Sequence, residues 1–254
     1  DAWKEFSKKS YKYKEGECEK LWSTFQHKGL SIASLHRWAK IDNKDEYEKV
    51  VDIGSRNALT ESLSGTNYDV AKVLYKMYKY QYVCATAKHS TWYEYKGHRW
   101  VEIENGMSLK QKISTILAKK YRLLQIYYTS KLLDCEDEVS KKQIEEKMEQ
   151  SKKLVKYVKD TTFKTKVMSE CIELFYDPNF LSKLDSQPHL IGFENGVFDL
   201  ESYEFRDGCP EDYISFSTKC DYIHYNENDI KIKEVYNFMK QIHTNQELRE
   251  YTLL

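Results

Sequence analysis

A chain of 254 residues with 41% hydrophobic, 14% aromatic and 31% charged side chains has the composition of a folded protein and excludes a disordered one. Forty Lys+Arg balance forty Asp+Glu, so net charge argues neither for nor against nucleic acid. No stretch approaches the ~18 uncharged apolar residues of a membrane span, the first residues hold no apolar signal core, and six cysteines without a CxxC pair read as reduced, intracellular thiols.

The balance hides an asymmetry. Residues 1–170 carry 33 basic and 24 acidic side chains, and residues 171–254 carry 7 and 16. Opposite halves point either to two surfaces with different partners or to mutual attraction within one fold.

In chain order, Cys18, Leu21, Trp22 and Phe25 share a helical face over 15–26, and Lys28-Gly29 stops it. Ser31 opens a second helix with Ile32, Leu35, Trp38 and Ala39 on its buried side. A third is expected near 45–60, and residues 60–68 read as a linker. From Asp69 a helix buries Val70, Val73, Leu74, Met77 and Tyr78. The aromatic, β-branched run over 82–106, punctuated by Gly97 and Asn105-Gly106, predicts a meander of two or three strands. Capping boxes at Ser108/Gln111 and Ser140/Gln143 open helices, the second protruding and highly charged. Thr161 or Thr162 caps a further helix that Asp177-Pro178 ends. Around Glu194-Asn195-Gly196 the pattern predicts a hairpin with Asn195 and Gly196 at positive φ. Residues 204–208 and 213–218 are further strand candidates, and 229–242 returns to helix. The expected class is helix-rich α+β: an N-terminal helical subdomain over 1–62, a mixed domain over 69–222 with a small antiparallel meander and a C-terminal hairpin region, and a helical connection over 229–254.

Much chemistry is absent. No glycine precedes a lysine, which excludes a Walker A loop, and no two glycines stand two apart, which excludes GxGxxG. Cys18, His27 and His36 match no zinc spacing, so no metal site is expected. Asp134-Cys135-Glu136, Ser34-Leu35-His36 and Asp199-Leu200-Glu201 resemble archaeo-eukaryotic primase motifs. Their order is reversed, however, and no catalytic residue is assigned.

The first 45 residues resemble the small domain that follows the catalytic core of many viral and plasmid primases. The likeness rests on Trp3, Phe6, Ser7, Ser10, Tyr13, Glu17-Cys18-Glu19, Trp22, Phe25, Gly29, Ile32, Leu35, Trp38 and Ala39. From about 69 to 222 the chain resembles the domain preceding superfamily 3 helicases in poxvirus-type and phage-type primase–helicases. Its marks are Ala71, Trp92-Tyr93, Trp100, the run Phe193 to Leu200 and Cys209-Pro210-Glu211-Asp212-Tyr213-Ile214. Asn195, Gly196, Asp199, Pro210 and Asp212 form its structural motif. This resemblance implies a non-catalytic middle segment of a primase–helicase of a large DNA virus, working in DNA replication at the viral replication site inside the host cell. It implies no cofactor here, with ATP and Mg serving a longer protein. Implied partners are single-stranded or forked DNA, an upstream primase domain, and further copies joined into a hexameric ring through a downstream ATPase domain; no membrane is implied.

Two basic–aromatic groups are candidates for nucleic-acid contact. Lys8, Lys9, Lys12 and Lys14 interleave with Tyr11 and Tyr13, and the meander offers Lys88, Trp92, Lys96 and Arg99, within a stretch (72–122) holding 11 basic and 3 acidic residues. Strand alternation leaves one aromatic face of the meander for the core and the other for ligand. Two alternatives are a helix-turn-helix around Gly29 reading duplex DNA through Ser31, Ser34, Arg37 and Lys40, and a purely structural oligomerisation collar.

Overall fold

The computed structural model describes residues 8, 13–17, 19, 20, 32–226 and 228–253. Most of the helix expected over 15–26 lies outside them, as do Lys9, Lys12, Cys18, His27 and Ser31. The described chain is helix-rich α+β with two three-stranded antiparallel sheets, as expected.

Short polar side chains set the helix starts. Helix α1 (Ile32–Asp42) passes into α2 (Lys44–Glu61) at Asn43, whose side chain accepts from the Glu46 amide at 3.1 Å. Thr66 caps α3 (Asn67–Tyr78) by accepting from the Asp69 amide, while the Asp69 carboxylate accepts from the Thr66 hydroxyl at 2.7 Å. Val70, Ala71, Val73 and Leu74 of α3 are buried. Residues 60–68 are a packed turn and not a free linker. Leu63 sits in the core, and fully buried Ser62 donates to the Leu59 carbonyl at 2.7 Å and lies 2.6 Å from Tyr121 Oη.

Strands β1 (Tyr82–Thr86), β2 (Thr91–Lys96) and β3 (Arg99–Ile103) form the predicted meander, in that order. Both faces of this sheet are covered. Tyr82, Cys84 and Trp92 join the helical core, while Ala85, Tyr95 and Trp100 pack on Phe180 in a second cluster. The helix α4 (Met107–Lys112) starts after Asn105 and Gly106, both at positive φ, and continues through a π-helical turn (Ile113–Leu117) into α5 (Ala118–Leu133). Ser108 therefore lies inside the helix and makes no capping box. The second expected box is replaced in the same way: Asp137 caps α6 (Glu138–Tyr157) by accepting from the Ser140 amide at 2.8 Å. Asp160, not Thr161 or Thr162, caps α7 (Thr161–Phe175). A carboxylate one to three residues upstream outcompetes the hydroxyls because it is the stronger acceptor near the helix N-terminus. Helix α6 does not protrude: it packs along α5 and buries Ser151 and Leu154.

After a short helix, α8 (Phe180–Lys183), β4 (Leu190–Phe193) and β5 (Gly196–Asp199) form the predicted hairpin, extended by β6 (Glu204–Arg206). Gly196 pairs with Phe193, so the turn is Glu194-Asn195, and neither Asn195 nor Gly196 has positive φ. Gly196 is needed for closeness instead: a Cβ there would meet Phe205 Cζ at 2.5 Å and the Arg206 carbonyl at 2.7 Å. Residues 213–218 form no strand, although Ile214 accepts from the Trp100 amide and Thr218 donates to the Gly192 carbonyl. Helices α9 (Ile230–Ile242) and α10 (Gln246–Leu253) follow, and α9 buries none of its residues. Among the described residues, no helix is long and apolar enough to cross a membrane.

Candidate nucleic-acid interface

A cleft of about 670 Å³ opens between the α1–α2 pair and the body formed by the meander, α3 and α4–α5. One wall is a single helical face. Lys112, Ile116, Lys119, Lys120 and Leu123 recur at spacings of three and four through the π-helical turn, so they project together. The facing wall carries Arg37, Lys40, Tyr47 and Glu48, and Glu48 is the one carboxylate among the described lining residues. Tyr78, Tyr80 and Tyr95 also line it, with His36 and Pro210 among the rest.

Lys112 stands at one end of the helical face. Its ammonium lies 5.2 Å from the Tyr78 ring and 5.6 Å from the Tyr82 ring, within cation–π range. Burial lowers its pKa, and the Lys40 and Lys96 charges push the same way against an opposing pull from Glu94. At one end of the cleft the His36 ring lies 4.7 Å from that of Tyr80, and its Nδ1 is 3.1 Å from Tyr47 Oη. Burial, helped by Lys79, lowers the His36 pKa and favours the neutral ring.

The residues proposed from sequence fall elsewhere. Trp92 is 1% exposed and packs on Phe175, so it is core and not a stacking platform. The sheet is covered on both faces, which overturns the expectation of a free aromatic side. Arg99 is spent on a bidentate pair with Glu194 at 2.8 and 3.3 Å. Lys96 meets the Glu94 carboxylate at 3.3 Å, although its charge reaches the cleft at Lys112. Lys88 is exposed on the opposite turn of the meander, between β1 and β2, and Lys8 and Lys14 are exposed in the N-terminal segment. The helix-turn-helix reading loses a reading residue: Arg37 pairs with Asp207 at 3.6 Å, and α1 packs on the 3-10 turn Pro210–Asp212.

The structural motif residues have clear tasks. Asn195 accepts from the Tyr222 amide at 2.8 Å and donates to its carbonyl at 3.0 Å, strapping Tyr222 over the second sheet, where its ring stacks on Phe205. Asp199 accepts from the Glu201 amide at 2.9 Å. The Pro210 carbonyl accepts from the Trp100 indole at 2.8 Å. Buried Asp212 accepts both Arg206 nitrogens, at 2.9 and 2.8 Å, and the Cys209 amide. Among the described residues no cluster suits a metal ion, and every cysteine is free.

The lysine face missed by strand-level reading was signalled by the excess of basic residues over 72–122. What the signal lacked was direction: the lysines that line the cleft sit mainly on α4 and α5 and not on the meander turn.

A family model described as D5 N terminal like matches residues 71–248, and one described as primase C terminal 2 matches residues 1–39. A protein of Acanthamoeba polyphaga mimivirus named as a helicase is 38% identical across 100% of this chain and 27% of its own length. One of Frog virus 3 (isolate Goorha), also named as a helicase, is 28% identical across 87% of this chain and 26% of its own length. One of African swine fever virus (isolate Pig/Kenya/KEN-50/1950), named as a primase, is 26% identical across 73% of this chain and 21% of its own length. The chain thus spans about a quarter of the curated relatives it matches.

Proposed function

This chain belongs to the D5 N-terminal-like family, and from that premise we infer that it is the non-catalytic middle segment of a primase–helicase acting in the DNA replication of a large DNA virus, where it contacts DNA and couples a primase to a ring helicase. The relatives' names, helicase and primase, support the setting. The observation that carries DNA contact is the cleft lined by Arg37, Lys40, Lys112, Lys119 and Lys120, whose charges neutralise phosphates. Such binding is tolerant of sequence. Hydrolysis of ATP with Mg belongs, in this reading, to a part of the longer protein outside these residues, and residues 229–254 connect to it. The exposed apolar residues of α9, Val235, Phe238 and Ile242 among them, support a role for that helix in assembly.

Binding of a single-stranded oligonucleotide, followed by fluorescence anisotropy over a salt series, tests the assignment. A Lys112→Ala/Lys119→Ala double variant is expected to weaken binding and reduce the salt slope by about one unit per lysine. Lys88→Ala is expected to change neither. Equal slopes for the double variant and the parent would remove the cleft from the reading.

A further inference from the structure

Two residues that line the cleft each bury a polar atom without a hydrogen-bond partner among the described residues: Arg37 its Nη1 and Tyr95 its Oη. Tyr95 is nine-tenths buried and the Arg37 side chain is 17% exposed, so neither atom is compensated by bulk water. An unpaired buried donor is costly enough that folded proteins rarely retain one without a use. The guanidinium has only donors, and the phenol has a proton to give, so the partner that satisfies both is an acceptor with several lone pairs. Electrostatics choose its sign. Lys40 and Lys112 line the same cleft, and Arg37 acts directly on Tyr95. The acidic groups around these two residues are Asp212, held by Arg206, then Glu211, and Asp207 on the other guanidinium nitrogen.

We propose that this part of the cleft is a pocket for the terminal phosphate of a nucleic-acid strand, with Arg37 Nη1 and Tyr95 Oη donating to its oxygens and Lys40 and Lys112 flanking its charge. The proposal rests on the DNA-binding reading above and adds a polarity to it: the strand ends in the cleft and does not run through it. A terminal phosphate carries up to two negative charges where an internal phosphodiester carries one, which suits a guanidinium and a phenol beside two lysines. Entry requires Arg37 to turn toward the cleft. It gives up its 3.6 Å ion pair with the exposed Asp207 carboxylate in exchange for the phosphate.

The test compares one short single-stranded oligonucleotide with a 5′-phosphate, a 3′-phosphate or hydroxyls at both ends. One phosphorylated form is expected to bind about tenfold more tightly than the hydroxyl form, as charge-assisted hydrogen bonds allow. Tyr95→Phe is expected to abolish most of that advantage while keeping or raising thermal stability, because it deletes an unpaired hydroxyl and leaves the ring. Arg37→Gln is expected to abolish it as well. Equal affinity for all three oligonucleotides, or an advantage untouched by Tyr95→Phe, overturns the pocket while salt-dependent binding of the hydroxyl form leaves the DNA reading standing. Deoxythymidine monophosphate competing as well as the phosphorylated oligonucleotide overturns the strand-end assignment in favour of free nucleotides. No binding of any oligonucleotide overturns both.

Discussion

Glu94 shows how a single residue in this chain is fixed by its surroundings. It stands on β2 with 5% of its surface exposed, yet its carboxylate accepts from Tyr82 Oη at 2.7 Å, Ser108 Oγ at 2.7 Å and Gln81 Nε2 at 3.2 Å. Burial alone would raise its pKa; the Ser108 and Tyr82 hydrogen bonds, with the Lys96 charge, outweigh that and hold it below the ordinary glutamate value. A depressed carboxyl stabilises the fold above its unfolded pKa and loses that contribution as pH falls toward its folded one. Ser108→Ala removes one of the bonds responsible. The expected result is a loss of roughly 1–2 kcal/mol at neutral pH and a smaller further loss on acidification, since less of the shift remains to be titrated. Denaturant melts at neutral pH and below the glutamate range check both; a variant with the parent's full acid dependence would show that Ser108 does not hold Glu94. The burial of Tyr82, 0% exposed, pushes its phenol far above the usual range, so it serves Glu94 as a donor throughout.

At the scale of elements, periodicity located nearly every helix and strand; apart from 213–218, which form no strand, the errors concern how they begin, turn and are covered. Capping depends on which of several nearby acceptors reaches the free amides, and Asp137 and Asp160 reach them before Ser140 or Thr161. The hairpin at 190–199 was legible from Asn-Gly, but its register was set one residue earlier than the turn type implies. Gly196 answers to the third strand and not to its own φ. A Gly196→Val variant is expected to lose about 1–3 kcal/mol by overpacking, because the Arg206 carbonyl it meets is backbone and cannot swing aside. Chemical denaturation measures this, and a variant as stable as the parent would mean that β6 can move off β5.

For the whole molecule, opposite charges of the two halves meet, among the described residues, in ion pairs at the surface. Arg99 clasps Glu194 and Arg37 reaches Asp207, so part of the asymmetry is mutual attraction. Arg99 is therefore expected to be irrelevant to DNA: Arg99→Ala should leave oligonucleotide affinity and salt slope as they are, and a flattened slope would show that the pair opens to release it. Part of the basic charge left over lines the cleft, on residues from α1, α4 and α5 that are up to some eighty positions apart in the chain.

The chain's pattern by itself determined the helix-rich α+β class, the meander, the hairpin and the family likeness, because periodic burial and turn chemistry are local properties that a few neighbouring residues impose. It also located the basic stretch, since charge is additive along the chain. Which residues face a ligand was decided only by tertiary packing. Trp92 and Arg99 look the same in sequence whether exposed or engaged; Trp92 is core because α7 covers that face of the sheet through Phe175, and Arg99 is neutralised because Glu194, on a different sheet, lies 2.8 Å away. The cleft has no counterpart in any local pattern, since its walls become neighbours only when α1 and α2 pack across the body from α5.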